Sequence, residues 1–356
     1  MSAPGSKRRP RAAASAIALA LGLGLGLGSP RGAAAQSPPS FLSAGPALDD
    51  RMGAAADDET GAAGSGSDAA GNGSDAPAEP PVKRPRFGWA ALVTGVTIAG
   101  SAYNSFSDGP SQPFHFTNEG YIGQHTYAGG ADKASHFVSY FIVAKLLSRV
   151  YGELGLSPSD SLLLGSGVSI FSGFVTELGD GRGRYGFSYE DLLFDSLGAA
   201  THLGLAHYGL DDMIGFSAGL VPAPHPECCP YGGFGKDYSR EIYSADLRFA
   251  ALGRRAGFDP GLARYLLFST TYSSRGYPYA APDQRERLIG AFVGVNFVEI
   301  LQAAGVPRER WWGKIAYFLF DVLRIPYTQI GVQYDLNHGR FSGPTIGTGY
   351  SFEGGS

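Results

Sequence analysis

Charged and imidazole side chains recur at helical spacings inside an apolar stretch in the middle third of this chain. Asp132 and His136 are four residues apart, while Asp191, Asp195 and His202 follow one another at steps of four and seven. Residues at these spacings lie on one face of an α-helix. Burying such groups is costly unless they pair, share protons or bind a cation. The pattern therefore predicts helices whose polar stripes meet at one place.

Further polar residues extend this candidate site. Ser188 and Asp191 have the spacing of a capping box at a helix N-terminus. A Gly-rich loop that carries His115, Asn118 and Glu119 is a weaker candidate for covering the site. The candidate catalytic residues are His136, Glu177 and Asp191. The candidate polar or ligand-binding residues are Asp132, Lys133, Asp180, Arg184, Ser188, Asp195 and His202.

Three interpretations of this polar set stay open. In the first, His136, His202 and carboxylates hold a metal ion, and Glu177 is the base. In the second, His136 is the acid and base of a metal-free hydrolysis in which Arg182 and Arg184 hold a phosphate. In the third, the groups form a structural network that pairs its own charges. The residue pattern specifies no metal ion, other cofactor or substrate.

The first part of the chain has the composition of a leader and a linker. A basic segment at 7–11 precedes an apolar run and three alanines at 33–35, which is the order found in secretory signal peptides. An uncleaved anchor is the alternative, because the apolar run approaches the ~18 residues that span a bilayer. Residues 36–84 are mostly Ala, Gly, Ser, Asp and Pro, which predicts a disordered linker. We therefore expect an exported protein of the cell envelope, in the membrane or the periplasm.

The two cysteines, Cys228 and Cys229, are adjacent, and neighbouring cysteines rarely bridge each other. A loop thiol pair is the simplest interpretation. Pairing with another chain, or a metal site shared with His225 and Glu227, is the alternative, although the spacing matches no standard zinc motif.

Four segments have helical composition, each of about 17–21 residues, which is near the bilayer-spanning length. Small residues such as Gly165 and Gly173 favour close helix packing of the kind found in membranes. Lys145 and Arg149 oppose this placement, because charges are costly in lipid. The pattern as a whole favours membrane embedding over a compact periplasmic bundle. The predicted helices cover residues 87–106, 133–152, 157–178 and 188–208.

The expected fold class is mainly α: a four-helix bundle, with transmembrane placement left open, followed by a smaller mixed α/β or β-rich C-terminal half. Strand-like segments lie at 243–252, 264–273, 288–299, 329–334 and 345–352, and a helix is expected at 311–322. The expected division is a signal peptide (1–35), a linker (36–84), a helical core (85–210), a turn-rich connector (211–240) and a C-terminal region (241–356). A net charge of −4 argues against nucleic-acid binding. The expected partners are membrane lipid or envelope components.

Several short motifs form a specific combination in the helical core. They are Asn-Glu-Gly-Tyr at 118–121, Gly-Gly-Ala-Asp-Lys at 129–133 with His136 and Phe137, Glu-x-x-Asp-Gly at 177–181, Tyr-Gly-Phe-Ser at 185–188, and Asp191 with Asp195. Over residues 87–210 the chain resembles the YfiM-like family of uncharacterised bacterial envelope proteins, some of which are predicted lipoproteins. It is more distantly similar to VanZ-like integral membrane proteins, a family linked to glycopeptide (teicoplanin) resistance.

The resemblance implies an envelope location and a helical core, and it supplies no reaction. No cysteine follows the leader of this chain, so the lipid anchor of the lipoprotein members is not carried over. We expect a membrane-associated envelope protein whose buried Asp/His/Glu site is structural or binds a ligand. The alternative is a membrane-associated hydrolase or transferase for a lipid or cell-wall precursor, with or without a metal ion.

Overall fold

A computed structural model describes residues 84–106, 112–220, 238–277 and 281–346. The expected signal peptide, nearly all of the expected linker, and the pair Cys228 and Cys229 lie outside the described residues. The described helices are α1 (Phe87–Phe106), α2 (Ala131–Glu153), α3 (Pro158–Asp180), α4 (Tyr189–His207), α5 (Phe249–Ala256), α6 (Phe297–Ala303) and α7 (Trp311–Val322). The described strands are β1 (Phe116–Thr117), β2 (Phe187–Ser188), β3 (Ile214–Leu220), β4 (Glu241–Arg248), β5 (Leu266–Arg275), β6 (Glu286–Val295), β7 (Gln329–Asp335) and β8 (Arg340–Ile346).

Local capping signals explain where the central helices begin. The side chain of Ser157 accepts a hydrogen bond from the backbone N–H of Asp160, and Pro158 occupies the first turn of α3. Ser188 caps α4 in the same way, because its hydroxyl accepts from the N–H of Asp191 at 3.1 Å. Helix α2 packs against α3, α4 and β3, so it lies between the other helices and the sheet.

Strands β3 to β8 form one antiparallel sheet in which neighbours in sequence are neighbours in space. The register places Ser217 beside Ser244, and Asp246 beside Ser269. The chain returns to β3 after α7, where the N–H of Arg324 donates to the carbonyl of Ala218 at 2.8 Å. A separate parallel pair, β1 and β2, joins the loop before α2 to the start of α4.

The predicted fold class is wrong. The protein is not a four-helix bundle followed by a smaller half, because the six-stranded antiparallel sheet dominates the C-terminal half. Strand β3 was not predicted. The segments predicted as strands at 243–252 and 288–299 extend too far, because their last residues belong to helices α5 and α6. The sheet was underestimated because half-buried strands are expected to bury apolar side chains. Here Ser269, Thr271 and Gln333 are buried instead.

The helices around α2 bury polar side chains and expose apolar ones. In α4, Asp191 and Asp195 are buried, whereas Leu193 and Leu197 on another face are 44% and 45% exposed. In α3, Ser169 and Ser172 are buried while Phe171 is exposed. Among the described residues, α3 is the one helix long and apolar enough to cross a membrane. Length and hydropathy alone are weak grounds for a span, since buried core helices share them.

The sheet shows the same arrangement on β6 and β7. Ile289, Val293, Ile330 and Val332 are exposed on one face. The opposite face of the sheet buries Gln329, Gln333, Asp335, Ser269 and Thr271. Strands in water normally alternate in the reverse sense, with apolar residues inside and polar residues outside.

Candidate functional site

The N-terminus of α2, the C-terminal part of α3 and the N-terminal half of α4 meet at a cluster of ionisable side chains, which we call the His136 cluster. It consists of Glu119 from the preceding loop, Asp132, Lys133 and His136 from α2, Glu177 from α3, and Asp191 and Asp195 from α4. The helical spacings predicted this convergence. Gly198 allows it, because a Cβ at this position would lie 2.1 Å from the carbonyl oxygen of Phe137 on α2.

Lys133 is the cation on one side of the cluster. Its Nζ lies 2.8 Å from Glu119 Oε2 and 2.7 Å from Asp132 Oδ2, and it also contacts Asp191 Oδ1. Burial opposes a charged lysine, but these carboxylates outweigh it and raise the pKa of Lys133. Burial likewise opposes a charged Asp132, yet His136 and Lys133 lower its pKa. Burial and the charge of Asp191 raise the pKa of Glu119 to about 7.

His136 lies between the carboxylates that contact Lys133 and a second acidic pair, Glu177 and Asp195. Its Nδ1 is 2.8 Å from Asp195 Oδ1, and its Nε2 is 3.7 Å from both Asp132 Oδ1 and Asp191 Oδ1. Burial would lower the pKa of His136, but Asp191 and Asp195 raise it well above its ordinary value. The His136 side chain is 20% exposed, so the cluster opens to its surroundings at this residue.

Glu177 and Asp195 form the second acidic side. Both are buried, and Glu177 Oε2 accepts a hydrogen bond from the backbone N–H of Ser188 at 2.9 Å. Burial is the main reason that the pKa rises to about 9 for Glu177 and about 6 for Asp195. Within the described residues no Lys or Arg lies within ion-pair distance of either carboxyl group. Asp195 Oδ2 has no hydrogen-bond partner there.

Two overlapping sets in the His136 cluster have the donor types of a metal site. The first is Asp132, His136 and Asp191, and the second is His136, Glu177 and Asp195. In each set, one ligand atom per residue lies within 4.8 Å of the others. Imidazole and carboxylate donors suit divalent transition metals.

Several predicted site residues lie elsewhere. His202 Nε2 is 3.2 Å from Ser148 Oγ, and its ring packs against Phe141 rather than in the cluster. Arg182 and Arg184 are exposed, and the guanidinium of Arg184 lies over the ring of Tyr185. Asp180 is the last residue of α3, and its carbonyl accepts hydrogen bonds from the backbone N–H groups of Gly183 and Gly186 in the turn that follows. The metal-ligating role predicted for His202 is therefore not supported by this geometry, whereas phosphate binding through Arg182 and Arg184 stays a prediction.

Sequence analysis missed Tyr238, which is 106 residues from Asp132 in the chain. Its hydroxyl donates a hydrogen bond to Asp132 Oδ1 at 2.5 Å. It also missed a second charged cluster, here called the Asp321 cluster. Asp321 on α7 lies 2.8 Å from Lys145 Nζ, 2.9 Å from Arg149 Nη2 and 2.5 Å from Arg248 Nη2. These cations lower the pKa of Asp321 against the effect of burial. No local pattern could identify such contacts, because they depend on the packing of α7 and the sheet.

A family model described as a predicted periplasmic lipoprotein (DUF2279) matches residues 118–206. The matched segment runs from the loop before α2 almost to the end of α4, so it includes every member of the His136 cluster. No curated protein and no solved structure matches the chain. The match confirms the expected location: this is an exported protein of the cell envelope. It also confirms similarity to an uncharacterised family of envelope proteins.

Proposed function

We propose that the protein is a membrane-associated component of the cell envelope and that its His136 cluster binds a small cationic ligand. Two parts of this proposal rest on separate features. Membrane association rests on the apolar outer faces of α3, α4 and the sheet. Ligand binding rests on the acidic side of the cluster formed by Glu177 and Asp195.

The reversed placement of polar and apolar side chains supports membrane association. Leu193, Leu197, Phe171, Ile330 and Val332 are all more than a third exposed, while the opposite faces of their elements bury Asp, Ser and Gln. Burying apolar surface stabilises by roughly 25 cal/mol per Å². Contiguous apolar faces of this kind mark binding or membrane surfaces rather than ordinary water-exposed surface. Hydrocarbon is the environment that favours apolar side chains outside and polar side chains inside.

Flotation with phospholipid vesicles tests membrane association. We expect the full-length protein, exchanged from detergent, to float with the vesicles. The double variant Leu193→Asp/Leu197→Asp should float much less, because charged groups replace one apolar stripe. Leu262→Asp is the matched control, since Leu262 is 85% exposed on a short turn outside these faces. A wild-type protein that stays monomeric without detergent and does not float would contradict this part of the proposal.

The charge distribution of the cluster supports ligand binding. Lys133 contacts three carboxylates on one side, whereas on the other side the imidazole of His136 is the one basic group beside Glu177 and Asp195 among the described residues. A purely structural network in an apolar interior is stable when each charge has a partner. Two carboxyl groups that share one imidazole are instead suited to a further cation that arrives from outside.

Neutral isosteres separate the ligand-binding role from a structural one. Glu177→Gln and Asp195→Asn remove an ionisable carboxyl group with little change in shape. If the cluster binds a ligand, Glu177→Gln should keep or gain stability in the empty protein, and Asp195→Asn should stay folded although it loses its ion pair with His136. Both variants should fail to complement a deletion strain. Parallel loss of stability and complementation would assign the cluster a structural role.

The finer resemblance to YfiM-like proteins, and the more distant one to VanZ-like membrane proteins, is part of the proposal. It is supported by the combination of the 118–121, 129–133, 177–181 and 185–188 motifs, each of which contributes a residue to the cluster or contacts it. The resemblance adds no reaction.

A membrane-associated hydrolase or transferase for a lipid or cell-wall precursor is the second candidate function. It is favoured by the contact of His136 Nδ1 with buried Asp195, since such a carboxylate orients an imidazole for proton transfer through the other nitrogen. Glu177 and Asp191 are the other candidate catalytic residues. Incubation with labelled lipid-linked precursors should yield a product that His136→Asn abolishes and His202→Asn retains. Product formed equally by the His136 variant would remove this candidate.

A further inference from the structure

We infer that His136, Glu177 and Asp195 form a site for one divalent transition-metal ion, for which Zn²⁺ is the representative probe. The inference names the ligand of the proposed binding role and therefore rests on that role. It commits to one of the two overlapping donor sets in the cluster.

The donors come from three different helices, which hold them in place. His136 is on α2, Glu177 is near the end of α3, and Asp195 is on the second turn of α4. One ligand atom from each lies within 4.8 Å of the others. Ligand atoms that surround Zn²⁺ at about 2.0–2.2 Å are about 3–4 Å from one another, so small side-chain movements close the site. Three protein ligands would leave a fourth position open.

The local charge balance distinguishes this set from the alternative set of Asp132, His136 and Asp191. In the alternative set both carboxylates already contact the ammonium group of Lys133. A metal ion there would have to lie beside a buried positive charge. On the other side of His136, Glu177 and Asp195 have no Lys or Arg at ion-pair distance within the described part of the chain. No buried ammonium or guanidinium group therefore opposes a divalent ion on this side of His136.

Asp195 gives a second and independent indication. It is fully buried, and its Oδ1 contacts His136 while its Oδ2 has no hydrogen-bond partner among the described residues. A buried carboxylate oxygen without a partner is costly. Gly173 on α3 leaves the space that this oxygen occupies, because a Cβ there would lie 2.6 Å from Asp195 Oδ2. The helices are thus packed to hold an acceptor oxygen whose partner is a ligand.

Access is provided at His136, which is 20% exposed and is the least buried of the three donors. A proposed ligand is also held in place by a contact from outside the site. The N–H of Ser188 donates to Glu177 Oε2 and orients this carboxyl group. Such outer contacts fix the direction of ligand side chains at metal sites. Metal affinity should rise with pH, because the ligands must be deprotonated to bind.

Metal titration of the full-length, tag-free protein in detergent tests the inference. After treatment with a chelator and removal of the chelator, Zn²⁺ binding is followed by calorimetry, and the retained metal is counted by mass spectrometry. We expect one Zn²⁺ per chain in the wild type. Asp195→Asn and Glu177→Gln should each lose more than about 100-fold in affinity, beyond the loss typical when a residue that only orients a ligand is changed.

The controls separate a local effect from misfolding. His202→Asn and Glu153→Gln should keep one Zn²⁺ per chain, since both residues lie outside the cluster. Asp132→Asn, from the rejected set, is titrated alongside them. Circular dichroism and thermal unfolding confirm that each variant is folded. Equal binding by Asp195→Asn and the wild type, or loss of binding only in Asp132→Asn, would overturn the assignment.

A wild-type protein that binds neither Zn²⁺ nor Mn²⁺ at micromolar concentration would overturn the metal inference. The broader proposal is judged separately. If the wild type binds no metal but Asp195→Asn is stable and fails complementation, the ligand is another cation and only the metal inference fails. If Asp195→Asn also loses stability in parallel with complementation, both fail.

Discussion

Helix α2 carries two buried charge clusters that have opposite composition. Near its N-terminus, the His136 cluster has an excess of acid: Lys133 and His136 face Glu119, Asp132, Glu177, Asp191 and Asp195. Further along, the Asp321 cluster has one carboxylate that contacts Lys145, Arg149 and Arg248. Both are buried in apolar surroundings, so burial alone does not identify a functional site.

The two clusters differ in how fully their buried charges are paired with groups of opposite charge. Asp321 joins α2, α7 and β4, and each of its partners lies within 3 Å. Arg149 reaches solvent, which relieves the excess positive charge. In the His136 cluster, Glu177 and Asp195 remain without a lysine or arginine partner among the described residues, and His136 provides an opening. We therefore assign the Asp321 cluster to stability and the His136 cluster to ligand binding.

The largest expected effect is in the Asp321 cluster. Asp321→Ala should lower the free energy of unfolding by about 3–5 kcal/mol, because it leaves buried Lys145 and Arg248 without their carboxylate. Denaturant unfolding in detergent measures this change. Glu153→Gln, which breaks an exposed pair with Lys314, should cost only about 0–1 kcal/mol. A similarly small loss in Asp321→Ala would remove the structural assignment.

A smaller loss is expected where α2 and α4 touch beside the His136 cluster. Gly198→Ala should destabilise by about 1–3 kcal/mol, because the new Cβ would overlap the carbonyl oxygen of Phe137. Gly204→Ala on the same helix has open space and should be neutral or stabilising by up to about 1 kcal/mol. Thermal unfolding compares the pair, and equal behaviour would show that the two helices are not in close contact.

Replacing Glu177 should raise the free energy of unfolding in a pH-dependent way, whereas replacing Asp321 should lower it. Because the pKa of Glu177 is about 9 in the folded protein and about 4.5 in the unfolded chain, the folded state holds the proton more strongly. Its contribution to stability is fully present below pH 4.5 and is lost as pH rises towards 9. At pH 8 the metal-free Glu177→Gln protein should therefore be more stable than the wild type, and this difference should shrink towards pH 5. Unfolding at pH 5 and pH 8 measures the trend, and a variant less stable at pH 8 would contradict it.

Helical periodicity predicted that Asp132 shares a face with His136, and Asp191 with Asp195, because side-chain direction in a helix is set locally. His202 shows the limit of that reasoning. It shares a face with Asp195, but seven residues correspond to about 10 Å along the helix axis, too far for one ion. Tyr238 and Asp321 were missed because they reach α2 from 106 and 172 residues away. The sheet was underestimated because its buried face carries polar residues such as Ser269, Thr271 and Gln333 between apolar ones such as Leu288 and Phe292, which weakens the usual strand pattern.

The two histidines nearest these clusters allow the most direct test. Neighbouring carboxylates raise the pKa of His136 well above its ordinary value, whereas burial and the charges of Lys145 and Arg149 lower that of His202 to about 3. Nitrogen NMR of the imidazole rings in the metal-free, full-length protein, assigned with His136→Asn and His202→Asn, reports both charges as pH is changed. The account predicts that at pH 7 His136 is cationic and His202 neutral. A neutral His136, or two histidines that titrate together near pH 6.5, would contradict the contrast between an acidic, ligand-ready cluster and a cationic, structural one.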